Sequence, residues 1–465
     1  MTLVRIALDR LSRRIFASAA SLLLLGCAAL PAFAQTTEFM LANGMKVIVK
    51  EDHRAPTVAH MVWYRAGSID EVNGKTGVAH VLEHMMFKGT RQFGPGEFSK
   101  RIAALGGREN AFTSRDYTGY YQQLHKSALA EAMTLESDRM NNLVLSKDDF
   151  DKEIKVVMEE RRWRTEDRAQ SLVMEQLNAA AFIASPYRAP VVGWMNDLEA
   201  MTVDDAREWY ERWYAPNNAL LIVAGDVQPA EVLALAERTY GRLPAKPLLA
   251  RKPQIEPPQR GIRRLSVKAP ADNPMVVLGF QAPVLRDVER DADPFALEVL
   301  SAMLALNDTG RFTRRLVREL RIANAAEAGY ELISRGPGLF LLMAVPAEGK
   351  TTEDAERAMR AEIARIAADG VPEDELRRIK TQYVAAETYK LDSVFAQAME
   401  SAQLEITGFA QRDGPRMLER IRAVTSAQIQ DVARRYFGDD TLTVVTLLPQ
   451  PVSEKRTPPP AGLRH

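Results

Sequence analysis

The sequence predicts an α+β protein made of two tandem, homologous α/β sandwich domains, each a β-sheet with helices packed on it. The first observation is an internal echo. Met201-Thr202 opens a helical pattern that runs through Trp213-Tyr214, followed by a Pro-Asn-Asn turn and a strand over residues 220–224. Val424-Thr425 opens a second such pattern through Tyr436-Phe437, followed by a Gly-Asp-Asp turn and a strand over 442–445. The offset is 223 residues through the helix (201 to 424) and 222 from the turn onward (220 to 442). A nearly constant offset of about half the chain is the mark of duplication. The second observation is that both kinds of periodicity are present. Residues 45–49, 58–64 and 117–124 alternate as strands, and residues 229–240 and 354–368 repeat as helices. The third is a run from Leu243 to Gly261 that holds Pro244, Pro247, Pro253, Pro257 and Pro258, as an interdomain linker does. The expected order is therefore a first domain over 35–243, a linker over 244–262, a second domain over 263–449 and a Pro-rich, disordered tail over 450–465.

Composition narrows the function classes. The 465 residues are 46% hydrophobic and 26% charged, which suits two or three ordinary globular domains. The 61 basic and 61 acidic residues balance, so no basic surplus points to nucleic acid as a partner. Residues 1–34 read as a cleaved export signal. Arg5, Arg10, Arg13 and Arg14 precede an apolar stretch over 15–30, and Ala32-Phe33-Ala34 gives a small-x-small cleavage site. Its removal takes away four arginines and Asp9 and leaves a charge of about −3. The expected location is periplasmic or secreted. Ser12-Arg13-Arg14-Ile15-Phe16 has the form of a twin-arginine signal, with a Sec leader containing two arginines as the alternative. Leu24-Leu25-Gly26-Cys27 resembles a lipoprotein box, although Leu25 is unusual there and a conventional site follows it. Cys27 is the only cysteine, so cleavage after Ala34 leaves none. A disulfide, a thiolate metal site and a cysteine nucleophile are then excluded, and any metal must be held by histidines and carboxylates. No later segment is long and apolar enough to be a transmembrane anchor.

The most informative segment is residues 76–89, TGVAHVLEHMMFKG. Thr76 is placed to cap a helix and Gly89 to stop it. Val78, Val81, Leu82 and Met85 form one apolar stripe, and His80, Glu83, His84 and Phe87 form the opposite one. An ordinary solvated face would be rich in Lys, Glu and Gln, not in two of the chain's six histidines and a phenylalanine. Two imidazoles at i and i+4 can meet one metal ion, with a carboxylate between them to hold a water. H-x-x-E-H is a spacing used by zinc peptidases.

From these residues the chain resembles the pitrilysin, insulysin and mitochondrial processing peptidase family. The resemblance rests on Leu41-Ala42-Asn43-Gly44, residues 63–68, Glu71, Gly77, residues 80–90, Gly106-Gly107, residues 110–115, Tyr187, Gly193 and residues 214–218. It is strong over the first domain and weak over the second. It implies a zinc metalloendopeptidase that binds one Zn2+ per chain and cleaves peptides or unfolded segments, with Glu83 as the catalytic base acting on zinc-bound water. A catalytic zinc usually has three protein ligands. A helix predicted from the Ser146 cap to about Arg164 carries Glu159 and Glu160, and periodicity chooses poorly between them. The resemblance implies His80, His84 and Glu160 as ligands, with Glu153, seven residues before Glu160, supporting a ligand from behind. It also places Asn110, Ala111 and Phe112 on an edge strand that pairs with an extended substrate. Phe87 either lines a side-chain pocket or packs against the neighbouring strand.

The second domain departs from the family pattern. Arg318 stands at the place of a substrate-binding arginine, but Ala325 occupies the position seven residues on where a tyrosine is expected, and Tyr330 is off register. Donors of this kind typically matter by a factor of about 100 or more. The family encloses its substrate with four domains, which implies a dimer closing around a chamber. The resemblance therefore leaves two readings: a peptidase complete in itself, and a scaffold or partner-dependent subunit that works with a homologous chain supplying the tyrosine.

Overall fold

The computed structural model describes residues 36–248, 250–252 and 254–451. The leader, with its twin-arginine and lipoprotein features, and all of the tail beyond Pro451 lie outside the described residues. The first sheet consists of β1 (Thr36–Met40), β2 (Lys46–Glu51), β3 (Thr57–Tyr64), β4 (Arg108–Thr113), β5 (Thr118–His125) and β6 (Ala219–Gly225). Its order is β1-β2-β6-β3-β5-β4. The second consists of β7 (Arg263–Pro270), β8 (Met275–Ala282), β9 (Ala323–Tyr330), β10 (Gly338–Pro346) and β11 (Leu442–Gln450), in the order β7-β11-β8-β10-β9. Once β1 is set aside the two sheets have the same connectivity. In each, the last strand inserts beside the first as a parallel neighbour and pairs antiparallel with the next.

The helix–turn–strand echo holds in three dimensions. Helices Val203–Trp213 and Ser426–Arg435 precede β6 and β11, and each opens with a capping box, Thr202 with Asp205 and Thr425 with Gln428. In each box the threonine hydroxyl accepts a backbone N–H, and the side chain three residues on accepts the threonine's own N–H.

The inner strands are apolar on both faces, so both faces of each sheet need cover. On one face of the first sheet, Val47, Val58, Val62, Leu221 and Val223 join the core formed with that half's own helices. On the other face, Ile48, Met61, Trp63, Leu220 and Ile222 meet Ala398, Ala402 and Ile406 of helix Val394–Thr407, which comes from the second half. The converse holds for the second sheet. Met275, Val277, Val445 and Leu447 are covered by Val173 and Leu177 of helix Ala169–Ala181, which comes from the first half. The two exchanged helices contact equivalent strands: β2, β3 and β6 in one case, β7, β8 and β11 in the other. The proline-rich segment is also tied down. Glu256 accepts the N–H groups of Ile183, Ala184 and Ser185, and Arg251 Nε donates to Asp70.

Two sequence expectations are corrected. The motif helix spans Val78–Met85, with Gly77 and not Thr76 at its N-cap. The Thr76 hydroxyl instead donates to Asp197 Oδ2 at 2.6 Å. Gly89, with φ +104°, lies three residues beyond the Met86 cap and does not end the helix. At the N-terminal end local cap preference gave way to a tertiary contact.

The exchange makes Leu177 a keystone. It is fully buried and lies against Gly279 of β8. Leu177→Ala should cost about 2–5 kcal/mol of stability in urea unfolding, as for other buried leucines. An unchanged midpoint would show that this helix does not seal the second sheet.

Candidate metal centre

The motif helix starts from a clamp. Gly77 sits at φ +86°, and a Cβ there would come within 2.5 Å of the Val192 carbonyl oxygen and 2.8 Å of Gly193 Cα. Only glycine allows that approach. The freed N–H groups at the helix start are taken by Glu71: Gly77 donates to Oε2 and Ala79 to Oε1, each at 2.9 Å. Burial pushes the Glu71 carboxyl up to about 8 against the pull of those two donors.

One turn on, the helix presents His80, Glu83 and His84, all less than 9% exposed. The glutamate helix Lys147–Arg161 lies against it, with Ser146 as its N-cap as expected. Glu160 meets both histidines: Oε1 is 3.7 Å from His80 Nε2, and Oε2 is 3.3 Å from His84 Nε2. Ligand atoms of His80, His84 and Glu160 lie within 4.8 Å of one another. Glu159 instead points outward and pairs with Arg162 at 3.1 Å. Behind His84, Nδ1 is 2.9 Å from Glu153 Oε1, and Glu153 Oε2 is 2.5 Å from Lys88 Nζ.

The donor set fits zinc. Bonds of about 2.0–2.2 Å at tetrahedral angles put neighbouring donors about 3.3–3.6 Å apart, close to the two N···O separations seen here. The Nδ1–Glu153 contact fixes Nε2 of His84 as the metal-facing nitrogen. His80 Nδ1 is buried without a partner among the described residues. Burial pushes His80 down to about 3, helped by the charges of His84 and Arg164. Burial also disfavours charged His84, but hydrogen bonds to Glu153 and Glu160 outweigh it and raise that imidazole to about 9. Glu160 is held at about 2: burial opposes ionisation, and His84, His80 and Arg164 overcome it. Burial raises Glu83, with the Thr113 hydroxyl pulling the other way.

The remaining expected residues fall in two places. Asn110, Ala111 and Phe112 are on β4, which among the described residues pairs only with β5 and forms an edge of the first sheet. Strand β4 runs beside the motif helix. Phe112 turns to the opposite face and meets Trp63 edge-on at 5.1 Å between centroids. Phe87 is half-buried, with the Arg139 guanidinium 5.1 Å from its ring centre. Arg318 is brought to neither group. It is exposed, on the π-helical segment Phe312–Glu319 of the second half, and Ala325 is exposed on the edge strand β9.

Three contacts were not read from sequence: Thr113 Oγ1 donating to Glu83 Oε2 at 2.5 Å, Lys88 on Glu153, and Arg164 Nη1 at 2.7 Å from Glu160 Oε1. For Thr113 the signal was available, because it lies two residues beyond Ala111 on the same face of β4.

With this geometry in place, comparison with known proteins decides the family. Residues 46–193 match the profile described as Insulinase (Peptidase family M16), and residues 200–383 match the one described as Peptidase M16 inactive domain. The chain belongs to peptidase family M16. A relative, the zinc protease PqqE of Helicobacter pylori, is 28% identical over 416 residues, covering 88% of this chain and 92% of its own. The crystal structure of a protease from Helicobacter pylori superposes with a TM-score of 0.84 at 28% identity, covering 90% of this chain and all of that one. The periplasmic protease PqqL of Escherichia coli shares the fold, with a TM-score of 0.77 at 20% identity; the match covers 92% of this chain and 50% of PqqL.

The geometry generates a ranking. Glu160→Gln should weaken zinc binding strongly and Glu159→Gln should not, in competition against a chromogenic chelator. Glu153→Gln should fall between them, with a loss of about 10–100-fold. Equal affinities for the Glu159 and Glu160 variants would remove Glu160 from the ligand set.

Proposed function

We propose that this chain is an exported zinc metalloendopeptidase that hydrolyses peptides or unfolded segments. The observation that carries the reading is the His80–His84–Glu160 group, its histidines buried and its glutamate half-buried, with Glu83 beside it and a strand edge that is unpaired among the described residues. His80, His84 and Glu160 would hold one zinc ion. The chemistry zinc supplies when bound is Lewis-acidic: it polarises the scissile carbonyl and acidifies water. Glu83 accepts the proton of the attacking water and passes it to the leaving amine nitrogen. Burial raises its pKa, which brings it nearer the range in which one carboxylate both takes and returns a proton. The Thr113 hydroxyl fixes Glu83's orientation from β4. Asn110, Ala111 and Phe112 offer main-chain donors and acceptors to an extended substrate, an interaction that tolerates many sequences. The leader-like pattern over residues 1–34 supports a location in the periplasm or outside the cell. Among the described residues no helix is long and apolar enough to cross a membrane.

A second reading is that the chain is a partner-dependent subunit. It is favoured by Ala325, exposed on β9, where the resemblance expects a tyrosine. PqqL, which shares the fold over part of its length, is about twice as long as the region it shares with this chain. A dimer with a homologous chain would bring Arg318, or a partner's donor pair, to the cleft.

Glu83→Gln should keep its zinc and lose turnover of a quenched peptide library. Substantial cleavage by that variant would end the proton-transfer role. For the second reading, the purified chain should cleave weakly alone and gain activity with a co-expressed homologue. Full activity from the chain alone would overturn partner dependence.

A further inference from the structure

Two basic side chains flank the metal group, and they are placed differently. Lys88 lies behind it, against Glu153, with its side chain 26% exposed. Arg164 is on the open side, with its side chain 55% exposed and its guanidinium on Oε1 of Glu160. The same oxygen faces His80 Nε2. Among the described residues Arg164 is the one arginine or lysine that ion-pairs a member of the metal group. Its charge acts on His80, Glu83 and Glu160 alike. The backbone accounts for its position. The glutamate helix ends at Arg161 and continues as a π-helical turn, Arg162–Glu166, which keeps Arg164 one turn beyond Glu160. Such turns are often found at functional sites.

A divalent cation bound by Glu160 competes with the guanidinium for the same carboxylate charge. Arg164 is long, always charged and bordered by solvent, so it can turn away from the ion without losing hydration. The oxygen nearby that becomes negative during peptide hydrolysis is the scissile carbonyl oxygen. A cationic donor that can reach it is the kind of group that lowers such barriers. The second half of this chain offers a poor substitute, because Arg318 is exposed on the π-helical segment Phe312–Glu319 and the Ala325 side chain has no donor.

We infer that Arg164 is a catalytic residue of this site, donating a guanidinium hydrogen bond to the scissile carbonyl oxygen as negative charge develops on it. The inference rests on the peptidase reading. It assigns to the zinc-binding half a donor that the facing half of the same chain lacks. The competing role is a plain counter-ion, in which Arg164 only neutralises Glu160.

The test compares Arg164→Ala and Arg164→Lys with the unaltered, zinc-loaded protein. A phosphinic peptide mimics the charged tetrahedral centre, and its binding needs no turnover. The matching uncleaved peptide is measured in the Glu83→Gln background. Arg164→Ala should weaken the phosphinic peptide by about 100-fold, the scale of one lost transition-state donor, with a smaller loss for Arg164→Lys. Peptide binding should stay nearly unchanged, zinc affinity should not fall, and kcat should fall without KM. Equal losses for both ligands, no loss for the phosphinic peptide, or a zinc loss large enough to account for the rest would overturn the assignment. A chain that shows the differential binding but cleaves no peptide would keep Arg164 and sink the peptidase reading. A chain that takes up no zinc would sink both.

Discussion

Each sheet has a second apolar face that its own half does not cover, and the rest of the molecule follows from that constraint. Strand β6 is buried along its whole length, with Leu221 and Val223 on one side and Leu220 and Ile222 on the other. Leaving such a face in water would forfeit roughly 25 cal/mol per Å2 of apolar area. The two halves solve this by exchanging one helix each, so that neither hydrophobic core is complete alone. The crossover of the first exchanged helix is also where the metal group is completed. Glu160 is the penultimate residue of the glutamate helix, and the π-helical turn and helix Ala169–Ala181 follow at once. Arg161, next to Glu160 and 5% exposed, pairs with Glu175 of the exchanged helix at 2.8 Å. A buried pair of this kind is costly to break from one side, so the angle between the two helices, and with it the position of Glu160, is held by the packing of the second sheet.

The motif helix is fixed by different means. It is only eight residues long, too short to be stable by itself. Its start is held by Glu71, by Asp197 through Thr76, and by the glycine-to-glycine approach of Gly77 and Gly193. The histidines therefore belong to a rigid frame within the first half, whereas Glu160 belongs to the junction between halves. A metal ion bridging them would link the frame to the junction.

What the sequence made legible was periodic and local. The strands at 45–49, 58–64 and 117–124, the duplicated unit, the Ser146 cap and the two-faced motif helix all follow from spacing, and the structure has them. The grouping of Glu160 with the histidines was legible only through resemblance, since Glu159 and Glu160 are neighbours in a charged helix. The Thr76 cap failed because cap preference is worth about 1 kcal/mol and a buried carboxylate, Asp197, competed for the same hydroxyl. The helix exchange was not legible at all: nothing in the sequence of residues 169–181 or 394–407 says which sheet their apolar residues will meet. Arg164 looked like one more charge in a run of them, and only the π-helical turn sets it apart.

The pairing of the site's three carboxylates agrees with the roles proposed for them. Glu153 has Lys88 and the His84 imidazole, so it is held ionised. Glu160 has both histidines and Arg164, and its pKa is held at about 2. Glu83 has the Thr113 hydroxyl as its hydrogen-bond donor, and burial raises it. Environments that push neighbouring carboxylates in opposite directions separate the group that must stay charged from the one that exchanges a proton. On the proposed reading a metal ligand must stay ionised and a proton carrier must not be locked in that state, and the pairing agrees with that division, with the cations beside Glu153 and Glu160 and the neutral hydroxyl on Glu83.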